Sequence, residues 1–429
     1  MKMKKICVFG LGYVGLPTAS MLATHGFEVL GVEIDEKIIE CINSGNAHIE
    51  EPGLNTLVKA AILSKKLKAS NKPSEADAFM ICVPTPLGPD KKSDLSYVKS
   101  AARSAIPYLR KENLVILEST VPPKTTEEVL VPILRESGLE IGSELYVAYC
   151  PERVIPGRII VEMVENDRII GGINEKSALM AKEIYQTFVE GDIFITDATT
   201  AEFVKLMENT YRDVNIALAN EFAKIAEKIH VNVWNAIELA NKHPRVNIHK
   251  PGPGVGGHCI PIDPWFVVEK FPQAEMIKLS RNINDEMIYY VFDMIKETIG
   301  KEKRNITIFG VAYKGNIDDT RGSPAKRLID ILLRKNYSVK IYDPLVRKFE
   351  FEINGLADSV KNSDCIVVLA DHDEFKRIKL EEIKKIGKLM SDKNIIDTRN
   401  CLDHEIWKLA GFNVRILGSG KSINSEKSP

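Results

Sequence analysis

Short apolar runs alternate with amphipathic segments along the first part of the chain. The runs at 6–9, 78–83 and 114–117 are rich in apolar and β-branched residues and have the length of buried strands. The segments between them have the apolar spacing of amphipathic helices. This alternation predicts a doubly wound parallel sheet, because parallel strands are joined by crossover helices.

The pattern changes around Ala201, where one helical stretch runs to about His230 and a further helix is expected near 276–299. A second alternating block follows, with strand-like runs at 305–310, 338–343, 365–369 and 394–397. The sequence therefore predicts an α/β fold of two Rossmann-like doubly wound domains joined by a long central helical region. The predicted domains are 1–200, 201–300 and 301–417, and the small polar residues of 418–429 predict a disordered tail.

Length and charge limit the partners of this chain. Its 429 residues are too many for one hydrophobic core and predict roughly two to three domains. With 58 basic and 59 acidic residues the net charge is −1, which argues against nucleic acid or an anionic membrane as a partner. No apolar run approaches the about 20 residues that span a bilayer, and no signal peptide is recognisable. We therefore expect a cytoplasmic protein whose partners are small molecules or further copies of the chain.

A glycine-rich turn follows the first predicted strand. Gly10, Gly12 and Gly15 lie between this strand and a helix, and Glu33 ends the next strand. Glycines at these positions allow a tight turn and a close approach of pyrophosphate to the helix N-terminus. Glu33 is expected to accept hydrogen bonds from both ribose hydroxyls and to repel the additional phosphate of NADP. The segment predicts NAD as the cofactor.

Two threonines follow predicted strands, Thr85 after the strand at 78–83 and Thr120 after the strand at 114–117. The carboxyl ends of parallel strands are where ligands bind in such sheets, so both hydroxyls can contact cofactor or substrate. The alternative is that both are ordinary turn residues.

One of the seven cysteines lies in surroundings that predict reactivity. Cys7, Cys82 and Cys365 lie inside apolar runs and are expected to be reduced buried thiols rather than parts of a disulfide framework. Cys259 instead lies in 252–265, a loop too rich in Gly and Pro for helix or strand, where the backbone can approach a ligand. We interpret Cys259 as a nucleophile, the alternative being a small buried side chain in a turn. A nucleophilic thiol and a hydride acceptor in one chain suggest an oxidation through a thioester.

The central helix carries a polar stripe. Lys205, Asn209 and Arg212 fall at i, i+4 and i+7 and therefore share one face. Apolar neighbours cover much of the remaining circumference, which predicts a mostly buried helix. A ligand with hydroxyls and phosphates can satisfy the stripe, and a solvated face is the alternative.

From about Lys5 to Leu417 the chain resembles the UDP-glucose/GDP-mannose dehydrogenase family, whose members oxidise a primary alcohol of a nucleotide sugar to a carboxylate with two NAD. The matching segments are 10–17, 84–86, 119–122, 151–154, 205–212, 256–259, 313–314 and 318–321. The resemblance implies that 1–200 binds NAD, that 201–300 carries the catalytic loop and a dimer contact, and that 301–417 binds the UDP-sugar.

The resemblance also implies roles for individual residues. Cys259 forms a thiohemiacetal and then a thioester, Lys205 donates and accepts protons, and Lys205 and Asn209 hold the oxyanion. Glu152 is the base for thioester hydrolysis, with Asp263 and Thr120 ordering the water. NAD contacts are assigned to Gly10, Gly12, Tyr13, Val14, Gly15, Glu33, Thr85, Thr120 and Arg321. Sugar-nucleotide contacts are assigned to Arg153, Val154, Lys205, Asn209, Arg212, His243, Arg245, Gly256, Tyr313, Lys314 and Arg399. No metal is expected, and a dimer at least is expected, because the family's loop with the His243 and Arg245 positions crosses a dimer interface.

Within the family, 243–248 and the loop through 263–266 resemble the branch that converts UDP-N-acetyl-D-mannosamine to UDP-N-acetyl-D-mannosaminuronate. The UDP-glucose branch has an acid where this chain has Pro156 and a lysine where it has Ile262. Three alternatives remain open: oxidation of UDP-N-acetylglucosamine or UDP-glucose, a single hydride transfer as in hydroxyacid and phosphogluconate dehydrogenases, and a non-catalytic sensor of NAD or a nucleotide sugar.

Overall fold

A computed structural model describes residues 3–420 and divides the chain into two compact units. The first unit is Met1–Glu208 with Trp265–Pro272, and the second is Asn209–Pro264 with Gln273–Pro429. Within 3–420, none of the helices combines the length and the apolar character that crossing a bilayer requires. The three-domain division of the sequence analysis stays a prediction.

The helices alternate with strands except in the middle of the chain, where long helices follow one another. They are α1 (Gly15–Thr24), α2 (Glu36–Asn43), α3 (Leu54–Leu63), α4 (Ser96–Ala105), α5 (Val131–Leu134), α6 (Ile159–Glu165), α7 (Glu175–Tyr185), α8 (Ala198–Lys228), α9 (Val233–Ala240), α10 (Asp263–Lys270), α11 (Glu275–Ile299), α12 (Pro324–Arg334), α13 (Leu356–Val360), α14 (Asp373–Lys376), α15 (Leu380–Leu389) and α16 (His404–Leu409). A short π-helix at Thr126–Leu130 precedes α5, and short 3-10 helices lie at Ile106–Tyr108 and Arg135–Ser137.

In the described part of the first unit the strands form one eight-stranded sheet. They are β1 (Lys5–Phe9), β2 (Glu28–Val32), β3 (Leu67–Ser70), β4 (Ala78–Ile81), β5 (Asn113–Leu117), β6 (Leu145–Tyr149), β7 (Arg168–Gly172) and β8 (Ile193–Asp197). Their order is β3-β2-β1-β4-β5-β6-β7-β8. All neighbours are parallel except β6 and β7, so the first six strands have the order of a dinucleotide-binding sheet.

The second unit, as far as residue 420, contains a five-stranded parallel sheet. Its strands are β9 (Asn305–Phe309), β10 (Ser338–Tyr342), β11 (Cys365–Val368), β12 (Asn394–Asp397) and β13 (Asn413–Ile416), in the order β10-β9-β11-β12-β13. This is the second common order of doubly wound folds. The predicted fold class is confirmed in both units.

Both faces of the central strands of each sheet are buried, which explains the continuous apolar runs of the sequence. In β1, Ile6 and Val8 belong to one apolar core while Cys7 belongs to another, on the opposite face. In the second sheet, Cys365 and Ile366 separate in the same way. Successive residues of a strand point to opposite faces, so a strand without polar positions requires a helical layer on each side.

The expected burial of α8 differs from the structure, and the expected disordered tail lies only partly within the described residues. Helix α8 is not mostly buried, because Phe203, Met207 and Leu218 are 41%, 52% and 42% exposed. In the predicted tail, Gly418 accepts from the N–H of Val233 and donates to the Glu227 carboxylate. Residues 421–429 of that tail lie outside the described residues.

Candidate active site

The glycine turn after β1 is shaped by contacts that exclude a side chain. Gly10 has φ +83°, a left-handed conformation that favours glycine. A Cβ on Gly15 would lie 1.8 Å from the carbonyl oxygen of Gly10, whereas a Cβ on Gly12 would meet nothing within 4 Å. Gly12 therefore leaves open space at the N-terminus of α1. Open space and backbone amides at a helix N-terminus fit the pyrophosphate of a dinucleotide.

Glu33 is held beside this turn, directly after β2. Its Oε2 accepts from the N–H of Leu11 at 3.0 Å, and its Oε1 accepts from the N–H of Ile34 at 2.8 Å. The side chain is still partly exposed, and a carboxylate has lone pairs for further donors. Tyr13 and Val14 lie in the turn before α1. The residues present therefore fit NAD.

The structure brings the two predicted threonines together. The Thr85 hydroxyl donates to the Thr120 carbonyl at 2.6 Å, which joins the segments that follow β4 and β5. Ser119 is buried and donates to the Val83 carbonyl at 2.7 Å. These hydrogen bonds fix the carboxyl edge of the sheet, where cofactor and substrate are expected.

Lys205 and Glu152 also lie together in the first unit. Lys205 is 7% exposed, and its Nζ donates to the Glu152 carbonyl at 2.7 Å. The neighbouring Arg153 forms an ion pair with Glu208 at 2.6 Å and donates to the Asp167 carbonyl at 2.7 Å. Val154 packs against the apolar core. The Arg153 guanidinium thus already has protein partners, and its assignment to the sugar nucleotide stays a prediction.

A buried polar cluster near Glu152 was missed by the sequence analysis. Arg168 forms an ion pair with Glu152, with 3.0 Å between Nη2 and Oε2. Glu118 accepts from the Tyr185 hydroxyl at 2.5 Å and from the Cys82 thiol at 2.9 Å. Burial raises the pKa of the Glu118 carboxyl, and the charge of Glu152 raises it further. The sequence offers one clue, because Arg168 begins a strand with apolar neighbours and Glu118 directly ends one.

The thiol of Cys259 lies in the second unit, in a loop of close backbone contacts. Cys259 is exposed, and its carbonyl accepts from the N–H of Asp263 at 2.9 Å. Asp263 is the first residue of α10, so the loop ends at 262 and not at 265 as predicted. A Cβ on Gly256 would lie 2.7 Å from the Cβ of Tyr313. Gly257 has φ +90° and donates to the Arg321 carbonyl. These contacts explain why the loop needs glycine at 256 and 257.

The polar stripe of α8 continues into a buried hydrogen-bond chain. The Asn209 amide donates to Asp263 Oδ2 at 2.5 Å, and both residues are buried. Arg212 donates to the other end of the Asn209 amide. Asn209 and Arg212 are therefore linked to Asp263, the first residue of α10, rather than solvated.

The predicted sugar-nucleotide residues of the second unit lie on several loops. A Cβ on Gly252 would lie 2.7 Å from Arg399 Nη1, so the Arg399 guanidinium packs against this glycine. Lys314 is exposed and follows Tyr313 in the sequence. Arg321, which was assigned to NAD, belongs to the second unit and forms an ion pair with Asp319 at 2.6 Å. The exposed residues His243 and Arg245 follow α9.

Asp343 has the position in the second sheet that Glu33 has in the first, and it is closed to ligands. Its Oδ2 accepts from the N–H of Val311 at 2.7 Å, as Glu33 accepts from Leu11, but it also binds His372 Nε2 at 3.2 Å. The side chains of both Asp343 and His372 are at most 1% exposed. A ribose therefore cannot reach this acid, and the second sheet lacks the open dinucleotide turn of the first.

No cluster of three or more His, Cys, Asp or Glu side chains suited to a metal occurs within 3–420. None of the seven cysteines, all in that range, forms a disulfide.

Three family models match the chain. They describe the NAD binding domain, the central domain and the UDP binding domain of the UDP-glucose/GDP-mannose dehydrogenase family, at residues 4–189, 199–286 and 307–404. NAD is therefore the cofactor, and the chain is an NAD-dependent oxidoreductase.

Relatives match over nearly the full length. The UDP-N-acetyl-D-mannosamine dehydrogenase of Methanococcus vannielii is 59% identical over 426 residues, covering 98% of each chain. A solved UDP-N-acetyl-D-mannosamine dehydrogenase from Pyrococcus horikoshii has a TM-score of 0.92 at 45% identity, covering 97% of this chain and 100% of that one. A UDP-N-acetyl-mannosamine dehydrogenase structure from Staphylococcus aureus has a TM-score of 0.88 at 43% identity, covering 97% and 99%. Together with the glycine turn and the thiol loop, these matches show that the chain belongs to the UDP-glucose/GDP-mannose dehydrogenase family.

Proposed function

We propose that the chain oxidises UDP-N-acetyl-D-mannosamine to UDP-N-acetyl-D-mannosaminuronate and releases two NADH per sugar. The observation that carries this proposal is the exposed thiol of Cys259 in a loop tied to Asp263. An enzyme that stops at the aldehyde has no use for such a thiol. The name of the 59% identical relative supports the choice of sugar.

The first oxidation requires a group that accepts the proton of the sugar's primary alcohol. We assign this role to Lys205, whose buried Nζ is held by the Glu152 carbonyl. Bound NAD supplies the hydride acceptor for both oxidations. Glu33, Thr85, Thr120 and the glycine turn are proposed to bind it, and Arg321 keeps its assignment to NAD.

The second oxidation requires a tetrahedral carbon, because loss of hydride from a free aldehyde would leave an acylium ion. The Cys259 thiolate forms a C–S bond to the aldehyde carbon, and Lys205 and Asn209 hold the resulting alkoxide. Loss of hydride from this thiohemiacetal leaves a thioester. Water then attacks the thioester with Glu152 as base, and Asp263 and Thr120 orient the water.

The substrate and the stoichiometry are tested together. Limiting UDP-N-acetyl-D-mannosamine is supplied with excess NAD, with UDP-N-acetylglucosamine and UDP-glucose in parallel, and NADH is counted per sugar. Two NADH from the first sugar support the proposal, and two from another sugar replace the substrate. One NADH per sugar would favour a single hydride transfer, and none from any sugar would favour a sensor.

Replacing the nucleophile tests the chemistry. Cys259→Ser is expected to abolish carboxylate formation and to leave NADH binding intact, because a serine hydroxyl is not ionised near neutral pH. Cys41→Ser, at a half-buried thiol on α2, is the matched control and is expected to retain activity. Undiminished acid production by Cys259→Ser would remove the covalent steps.

We infer that two copies of the chain pair through α8. Exposed apolar residues recur every three, four or seven positions along this helix, so they form one stripe. They are Phe203, Met207, Tyr211, Leu218, Phe222 and Ile225, between 39% and 55% exposed. An apolar stripe of this length is typical of a protein interface, and a two-fold axis places such a face against itself.

The oligomeric state tests this inference. Phe222→Asp with Ile225→Asp is expected to halve the mass measured by light scattering. Leu63→Asp, at an exposed leucine of α3, is the control and is expected to keep the mass of the unaltered protein. A monomeric unaltered protein would contradict the dimer.

A further inference from the structure

The Glu152 carboxylate is held at both oxygens. Arg168 Nη2 donates to Glu152 Oε2 at 3.0 Å, and the two side chains are 4% and 8% exposed. Glu152 Oε1 accepts from the backbone N–H of Arg153 at 2.7 Å. The carboxylate therefore cannot turn about its axis without breaking a hydrogen bond.

Arg168 is itself fixed by its surroundings. Its guanidinium lies 4.8 Å from the centre of the Tyr185 ring and 5.7 Å from that of Phe188, and Nη1 lies 3.8 Å from the Cys150 sulfur. Cation–π contacts of this kind hold a guanidinium in one plane. Arg168 thus presents a rigid donor to Glu152.

The cluster contains one arginine and two carboxyls, and their environments differ. Glu152 has the ion pair with Arg168, whereas Glu118 has the Tyr185 hydroxyl and the Cys82 thiol as donors. Burial, followed by the Glu152 charge, raises the pKa of Glu118. Glu118 thereby favours its neutral form, whereas the Glu152 carboxylate has a cation, Arg168, as its partner. Two carboxyls in such contrasting surroundings are typical of sites that keep one of them ionised as a base.

We propose that Arg168 is a positioning residue that orients the Glu152 carboxylate for hydrolysis of the thioester. The inference rests on the proposed function. In this step a water oxygen bonds to the thioester carbon and Glu152 accepts the water proton. The C–S bond breaks, the proton returns from Glu152 to the Cys259 thiolate, and the carboxylic acid that is released loses its own proton to solvent.

The experiment compares Arg168→Met, Glu152→Gln and the double variant in the full-length protein, with UDP-N-acetyl-D-mannosamine and NAD. Intact-protein mass reports the acyl-enzyme, and NADH release reports turnover. Because a positioned base contributes about 10²–10⁴-fold, we expect Arg168→Met to lose roughly tenfold or more of its turnover and to accumulate acyl-enzyme. Arg103→Met, at an exposed arginine 4.0 Å from Glu136, is the control.

Two further readouts separate positioning from structural damage. In Arg168→Met the burst of NADH that precedes hydrolysis should keep its rate, because Glu152 acts only after the thioester has formed. Damage to the fold would instead slow the NADH burst and the hydrolysis alike. The double variant is expected to match Glu152→Gln within about threefold, because no carboxylate remains to be positioned.

Each outcome distinguishes this inference from the proposed function. Normal hydrolysis by Glu152→Gln would remove the base of the proposed function, and the inference with it. Accumulation of acyl-enzyme in Glu152→Gln but not in Arg168→Met would overturn the inference and leave the proposed function intact. If Arg168→Met does not fold, the double variant replaces it in the test, because the double variant buries no lone charge. Slower hydrolysis by the double variant than by Glu152→Gln would show that Arg168 acts by another route and would overturn the inference.

Discussion

The two glycines of the dinucleotide turn make opposite predictions for the same substitution. In Gly15→Ala the new Cβ lies 1.8 Å from the Gly10 carbonyl oxygen, whereas ordinary contacts begin at 3.4 Å. The gap must open by about 1.6 Å against backbone that is itself held, because the Gly10 N–H donates to Val32 at 2.8 Å. Overpacking costs about 1–3 kcal/mol or more, and helix propensity returns up to about 1 kcal/mol. We therefore expect a net loss of about 2 kcal/mol, which lowers Tm by about 4–8 °C in a unit of this size.

Gly12→Ala is expected to leave the fold intact and to weaken NAD binding. Its Cβ meets no protein atom within 4 Å, so Tm should stay close to that of the unaltered protein. The methyl group fills the space proposed for pyrophosphate, and a clash of about 1.4–2.8 kcal/mol corresponds to a 10- to 100-fold weaker affinity. Thermal unfolding by circular dichroism and titration with NADH fluorescence measure the two effects. Normal NADH affinity of Gly12→Ala, or an unchanged Tm of Gly15→Ala, would refute the reasoning.

Three other substitutions test the interior. Glu202→Ala removes the acceptor of the Lys124 and Thr126 N–H groups and of the Thr126 hydroxyl, and both Thr126 donors are buried. It should lower the unfolding free energy by about 3 kcal/mol in urea titration, with the exposed Glu183→Ala as control. Arg281→Met leaves Asp213 buried without its 2.5 Å partner and should cost about 3–5 kcal/mol, part of which an added Asp213→Asn restores. Burial raises the pKa of Asp397, but hydrogen bonds from His404 and from backbone N–H groups lower this pKa more, to below the ordinary 3.8. The ionised Asp397 therefore stabilises the fold above pH 3.8, and this stabilisation is lost as the pH falls below that value. Asp397→Asn should therefore reduce the acid slope of stability by up to about 1.4 kcal/mol per pH unit, and an unchanged slope would contradict the assignment.

Local patterns allowed the strands, the glycine turn and the thiol loop to be predicted. Each depends on residues that are close in sequence, such as the alternating faces of β1 or the spacing from Gly10 to Gly15. The side-chain pairs of the site were harder to foresee. Arg168 begins β7, whereas Glu152 lies in the loop after β6, and the antiparallel pairing of β6 with β7 brings the two segments together. Nothing in the spacing of these two residues indicates that pairing.

Helix α8 shows why apolar composition alone is a weak guide to burial. Its apolar residues surround much of the helix, a pattern that predicts a mostly buried helix. In the folded chain Ala219, Ala223 and Ala226 are buried, whereas the larger Leu218 and Phe222 are exposed. Small residues allow close packing within one chain, and large apolar residues that remain exposed favour a partner. Side-chain size along the helix thus carries information that the apolar pattern lacks.

Each of the two sheets of this chain has an acidic residue directly after its second strand, and the two acids have different roles. After β2, Glu33 binds the Leu11 N–H and keeps an exposed edge, which suits an acid that also receives ribose hydroxyls. After β10, the shorter Asp343 binds the Val311 N–H and is enclosed by His372 and two further backbone N–H groups, from Leu345 and Val346. The second acid therefore stabilises its own loops and has no lone pair exposed to a ligand. The same fold can thus bind a dinucleotide in one unit and leave recognition of the other nucleotide in the second unit to its loops, including the one with Tyr313 and Lys314.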